Sequence, residues 1–284
     1  MRDHIMKATA PGVRIVAAVT TQLVEEARRR HDCFPVVAAA LGRTMTVALL
    51  LAANLKTEES LTVRIAGDGP IGDIVADATA HGTVRGYAKN PHVDIPLRGK
   101  KLDVGAAVGQ GNVYVTRFTG LKQPFTGNVP LVSGEIAEDI TSYLAVSEQT
   151  PSSVALGVLV CPDMTVAAAG GFIVQALPGH EEKSLQVIEA NLANLAPVSQ
   201  MVDEGKDAAG IIQAVLQGLP ITWYDRAGIA FQCLCSREKV HNVLISLGKA
   251  ELGDMIAEGK AEVCCHFCAE KYQFNRQELE ALLK

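Results

Sequence analysis

Seven cysteines occur in this chain of 284 residues, and five of them, Cys233, Cys235, Cys264, Cys265 and Cys268, fall in its last fifth. Four form two close pairs, Cys233-Leu-Cys235 and Cys265-His-Phe-Cys268, separated by the 29 residues from 236 to 264. Two such pairs can supply four thiolates in a tetrahedron around Zn²⁺, with metal–sulfur bonds of about 2.3 Å. Val240, Val243, Leu244 and Leu247 recur at helical spacing between them, which predicts two short helices that return the second pair to the first. The 54 residues from 231 to 284 lie near the lower limit for folding on burial alone, so a staple is expected there.

Cys264 adjoins Cys265 and could supply the third thiolate, although the two-residue gap from Cys265 to Cys268 suits a metal knuckle better. His266 sits inside the second pair, where its side chain is expected to point away from the metal. Inert cysteines and an iron–sulfur cluster are the other readings of the cluster. The C-x-C spacing departs from the C-x₂₋₄-C of ordinary structural zinc sites. Metal and disulfide are alternative uses of the same sulfurs. Thiolate is the form that peroxide attacks, giving sulfenic acid and then a disulfide with a neighbouring sulfur. Each oxidised pair removes two ligands. A structural zinc contributes roughly 10–16 kcal/mol of apparent binding energy to folding, so oxidation should unfold the module.

The remainder predicts an α+β protein. A strand is expected at 13–19, a helix capped by Thr20 or Thr21 through Arg30, and an Ala-rich buried helix over 36–55. Strands at 61–66, 71–78, 83–88 and 112–118 have Gly, Pro and Asn at their ends and predict antiparallel hairpins. Ser133 is the expected N-cap of a helix running to Ser147, with Glu135 in its first turn. Strands follow at 153–160, 165–169 and 172–177, the last two divided by Gly170-Gly171. From Glu181 to Leu219 the pattern is helical but broken by Pro197, Gly205, Gly210 and Gly218 into pieces too short to be stable alone. The predicted organisation is a mixed α/β N-terminal domain over 1–179, a metastable helical linker over 180–230 and a small C-terminal zinc-binding domain over 231–284.

Several function classes fit poorly. The formal net charge of -5 and the lack of a basic stripe argue against nucleic acid. Met1-Arg2-Asp3-His4 lacks the basic start of a secretory signal, and the apolar core of the 36–55 run is too short for a membrane span. Gly67-Asp-Gly69-Pro-Ile-Gly72 fits a dinucleotide fingerprint, but Pro70 and the flanking strands favour a tight turn. His31, Asp32 and Cys33 are neighbours at a helix end and do not face one another as nucleophile and base would. Cys161 reads as a small core residue. A thiol–disulfide oxidoreductase would need its C-x-x-C in a thioredoxin-like βαβ context. A zinc-ribbon module contacting nucleic acid or protein is a further alternative, but Arg237, Lys239 and Lys260 stand beside Glu238, Glu251 and Glu262 and read better as a mixed solvated face.

At the cysteine pairs, at Cys235-Ser-Arg-Glu-Lys239, at Cys268-Ala-Glu-Lys-Tyr-Gln-Phe274, at Asp68-Gly-Pro-Ile-Gly72 and at Gly170-Gly-Phe-Ile-Val-Gln-Ala-Leu-Pro-Gly179, the sequence resembles the thirty-three-kilodalton heat-shock protein family of bacterial chaperones. The resemblance covers essentially the whole chain, with Cys264 as an extra. It implies a cytoplasmic, ATP-independent holdase that is inactive while reduced and zinc-bound at Cys233, Cys235, Cys265 and Cys268. It also implies disulfides Cys233–Cys235 and Cys265–Cys268, zinc release, linker unfolding and a homodimer when oxidised. Its implied partners are unfolding client proteins, handed on to ATP-driven foldases; that neither nucleic acid nor membrane is a partner is the expectation from charge and hydropathy given above. It implies no catalytic residues.

Overall fold

β1 (His4–Ala10) and β2 (Val13–Val19) open the chain as a hairpin turned at Gly12, whose φ of 73° suits glycine. α1 (Thr21–His31) and α2 (Pro35–Ala52) follow, and then β3 (Ser60–Gly67), β4 (Asp73–Thr79), β5 (Thr83–Ala88), α3 (Val104–Val108), β6 (Gly111–Phe118) and β7 (Phe125–Pro130). After α4 (Ala137–Val146) come β8 (Ser152–Val160), β9 (Val166–Ala176), α5 (Glu182–Ala193), α6 (Val198–Asp203) and α7 (Ala208–Val215). The two-residue strands β10 (Thr222–Trp223), β11 (Ala227–Gly228) and β12 (Ala230–Phe231) complete a first unit, Met1–Gln232; a second covers Cys233–Lys284. This computed structural model describes residues 2–121, 123–179 and 182–283. Residues 180 and 181, where the helical stretch is expected to begin, lie outside them.

The first unit holds two sheets. One has the order β10-β1-β2-β9-β8, with β11 also on β1; the other has the order β12-β5-β4-β3-β6-β7. Every described pairing is antiparallel except the parallel seam of β12 on β5. α2 packs against strands of both sheets, and 89% of its apolar window is buried. A helix that is apolar all round belongs inside a core.

The central strands of the first sheet, β2 and β9, are largely buried on both faces, and the period-two alternation of β2 sends its side chains into two cores. Val16 and Ala18 join the core around α2. Val13, Ile15, Ala17 and Val19 face the opposite way, into a second core with Phe172, Ile188, Met201, Ile211 and Val215. α5, α6 and α7 thus pack on the outer face of the β2–β9 pair.

Three local expectations need correction. The strands expected at 165–169 and 172–177 form one continuous strand, β9. Gly170 and Gly171 do not interrupt it; a Cβ on Gly170 would lie 2.6 Å from the Ala18 carbonyl oxygen, and one on Gly171 2.6 Å from Leu156 Cδ2. Close packing, not chain reversal, requires them. Ser133 is not the cap of α4. The helix starts after Ile136, whose φ is 74°. The buried Asp139 carboxylate accepts from the backbone N–H groups of Val132, Ser133 and Gly134 through Oδ1 and of Ile136 through Oδ2, at 2.7 to 3.2 Å. Cys161 lies half-buried in the turn between β8 and β9, hydrogen-bonded through its backbone to Thr165, and belongs to neither large core.

The second unit contains α8 (Arg237–Leu247), α9 (Lys249–Glu258), the hairpin of β13 (Lys260–Cys264) with β14 (Lys271–Asn275), and α10 (Arg276–Ala281). Ser236 Oγ caps α8 by accepting from Lys239 N, and Gly248 separates the two helices at φ 93°. Asn275 and Glu278 form a reciprocal capping box at α10. The core is small: Val240, Leu244, Leu252, Phe274, Leu279 and Leu282 are its buried members.

Candidate metal centre

Cys233 and Cys235 lie in the irregular segment between β12 and α8, and Leu234 between them is exposed. Lys239 secures this segment by donating from Nζ to the Leu234 carbonyl at 2.6 Å. The second pair sits on the turn joining β13 to β14. Its backbone folds into a knuckle in which Cys265 N donates to Glu270 O at 2.9 Å and Ala269 N donates to Cys265 O at 2.8 Å. Ala269 closes the knuckle with φ at 56°.

The four sulfurs of Cys233, Cys235, Cys265 and Cys268 all lie within 4.8 Å of one another. Cys233 Sγ is 3.7 Å from Cys265 Sγ, and Cys235 Sγ is 3.4 Å from Cys268 Sγ. A tetrahedron with metal–sulfur bonds of about 2.3 Å has edges of about 3.8 Å, so the four donors fit one small, soft cation. Among the described residues this is the one group of three or more Cys, His, Asp and Glu side chains close enough to hold a metal ion. Cys264 stays outside it: the residue is exposed and pairs with Lys271 in the β13–β14 ladder. His266 stays outside it too.

The thiols differ in their proton affinity. At Cys233 burial acts to raise the pKa, but hydrogen bonds from the Cys235 backbone and from the other three thiols outweigh it and bring the value down to about 7. Cys265 and Cys268 are pushed up, chiefly by burial. The Tyr272 hydroxyl, 3.1 Å from Cys235 Sγ, donates to that sulfur, and this bond foremost holds its own proton more tightly than an ordinary phenol. A cluster with one thiol already near neutrality can lose protons to an arriving cation, which completes a thiolate set.

The other candidates carry no such chemistry. Cys33 is buried and its thiol is pushed up to about 12 by desolvation. Asp32 faces His92 Nε2 at 3.2 Å. Gly67 to Gly72 turns directly from β3 into β4, with Gly69 N bonded to Val108 O, so no helix N-terminus is available for a pyrophosphate. What sequence reasoning missed is Tyr272. Its signal was its place four residues after Cys268, which the hairpin converts into a position over the first pair.

A family model described as Hsp33 protein matches residues 3–275. A 33 kDa chaperonin of Desulforamulus reducens is 49% identical over 100% of this chain and 98% of its own length. One of Bacillus velezensis is 50% identical over 99% of this chain and 98% of its own. The crystal structure of the 33 kDa chaperonin (heat shock protein 33 homolog) of Thermotoga maritima superposes with a TM-score of 0.92 at 41% identity, covering 99% of this chain and 97% of that one. Shared along its full length in both sequence and backbone, this chain is a member of the Hsp33 family of chaperones.

Proposed function

We propose that this chain is a redox-regulated, ATP-independent holdase of the bacterial cytoplasm, and that Cys233, Cys235, Cys265 and Cys268 are both its zinc ligands and its redox switch. The observation that carries the proposal is the convergence of four sulfurs within 4.8 Å in a unit with six buried core side chains. Bound zinc would hold the sulfurs as thiolates and clamp the 233–235 segment to the knuckle at 265–268. All-thiolate donors favour zinc over harder divalent cations.

In the proposed switch a thiolate attacks peroxide: an S–O bond forms, the O–O bond breaks and hydroxide leaves. The second sulfur of the same pair then attacks the sulfenic sulfur, forming the disulfide and expelling the oxygen as hydroxide. The two electrons taken from each pair reduce one peroxide. Each disulfide, Cys233–Cys235 and Cys265–Cys268, removes two donors and leaves a set too small to retain the ion. The small core cannot hold the unit folded without that clamp. Residues 180–230 act as the metastable linker that loosens in turn, the active form is a homodimer, and held clients pass to ATP-driven foldases. No residue is assigned a catalytic role.

The test reads two quantities on one sample: zinc per chain, and light scattering from a heat-unfolding client. Reduced protein should carry one zinc and leave aggregation unchanged. Peroxide at raised temperature should release the zinc and suppress scattering. Suppression by fully reduced, zinc-loaded protein would overturn the proposal.

A further inference from the structure

Tyr272 stands on β14 directly opposite Val263, and its ring packs against the small core of the second unit. Its hydroxyl donates to Cys235 Sγ at 3.1 Å. Neighbouring contacts hold this bond in place. Arg237, two residues after Cys235, donates to the Gln273 carbonyl at 2.9 Å and stacks over the Phe274 ring at 4.4 Å. The start of α8 is therefore fastened to β14 on the residues that follow Tyr272, and the O–H···S contact is built into the scaffold.

An O–H donor on a thiolate draws electron density from the sulfur. It stabilises the sulfur as a ligand and blunts it as a nucleophile. We propose that Tyr272 is a positioning residue of the redox centre, whose hydroxyl secures Cys235 on the metal and slows its attack on oxidant. The inference rests on the metal and redox reading of the four cysteines given above. In the first pair, Cys233 is then the sulfur that attacks peroxide, with hydroxide leaving. Cys235 is the sulfur that resolves the sulfenic acid into the disulfide, releasing a second hydroxide.

The experiment compares full-length wild type with Tyr272→Phe, which keeps the ring and removes only the donor. Both are loaded with Co²⁺, whose sulfur-to-metal charge-transfer band reports the electron density on the ligands. Tyr272→Phe should bind one Co²⁺, show that band at longer wavelength, and release zinc to peroxide about tenfold faster, the usual scale for losing an outer-shell partner. An unchanged band and release rate would overturn the role of Tyr272 and leave the four-cysteine site intact. A wild type without any thiolate charge-transfer band would overturn the site itself. If Tyr272→Phe does not fold, 3-fluorotyrosine incorporated at position 272 supplies a stronger donor and must move the band to shorter wavelength; a band that stays in place sinks the proposal.

Discussion

Cys235 and Cys268 bring their sulfurs to 3.4 Å across 33 positions of sequence, so a near neighbour of Cys235 belongs to the other pair. Cys233 and Cys265 repeat the relationship at 3.7 Å. The proposed disulfides run within each pair, so both sulfurs of each must turn away from these cross-pair contacts. Peroxide-treated protein digested after Arg and Lys should yield the peptides carrying Cys233–Cys235 and Cys265–Cys268 unlinked to each other. A mass corresponding to the two peptides joined would show cross-pair oxidation and refute the pairing.

Metal removal should cost the second unit its fold. Chelation of the reduced protein is expected to abolish the amide dispersion of α8, α9 and the β13–β14 hairpin in a heteronuclear NMR spectrum, because six buried side chains are a small core for this unit. Signals from β2 and β9 should persist. Retention of the hairpin resonances in the metal-free protein would contradict the clamp.

Cys264 and Cys265 are neighbours with opposite expected phenotypes. Cys264→Ser should leave one zinc per chain, since its side chain is exposed and outside the cluster. Cys265→Ser should lose most of the metal affinity, measured by competition with a chromophoric chelator. Equal zinc retention by the two variants would remove Cys265 from the ligand set.

Asp139→Ala should destabilise the first unit by about 3 kcal/mol in urea unfolding, because four backbone N–H groups lose a charged acceptor in a buried place. The positive φ of Ile136 loses its support in the same change. A midpoint shift below about 0.5 kcal/mol would show that the loop finds other partners.

Glu25 links α1 to β9 by accepting from Val166 N at 2.9 Å while it pairs with Arg28. The Arg28 hydrogen bond, acting against partial burial, holds its carboxyl below the usual carboxylate range. A depressed folded pKa means stability that is present above the unfolded value and lost as pH falls through the folded one. Glu25→Gln should therefore cost about 1 kcal/mol at neutral pH, and the gap from wild type should close as pH falls below about 4. A gap independent of pH would assign the loss to packing alone.

Much of the architecture is legible where one residue type has one physical use. Two cysteine pairs at fixed spacing, the Ala- and Leu-rich α2 and the alternating strands β3 to β6 are of this kind. β1 escapes because its residues include His4, Lys7 and Thr9, and a strand between two others need not look apolar. The two-residue strands β10, β11 and β12 carry no periodicity at all; only the edges they find define them. Asp139 has an ordinary sequence position inside its helix, and its role depends on a loop that folds back over it. Tyr272 is silent for the same reason, since a hydroxyl aimed at a sulfur 37 positions earlier is a product of the hairpin.

A β-sheet greasy on both sides can never stand uncovered in water. The wall formed by Val13, Ile15, Ala17, Phe172 and Val174 is roofed by three short helices, none longer than 12 residues. Those helices keep water off apolar side chains that the strands alone would leave bare, so shortening any one of them would wet part of the wall.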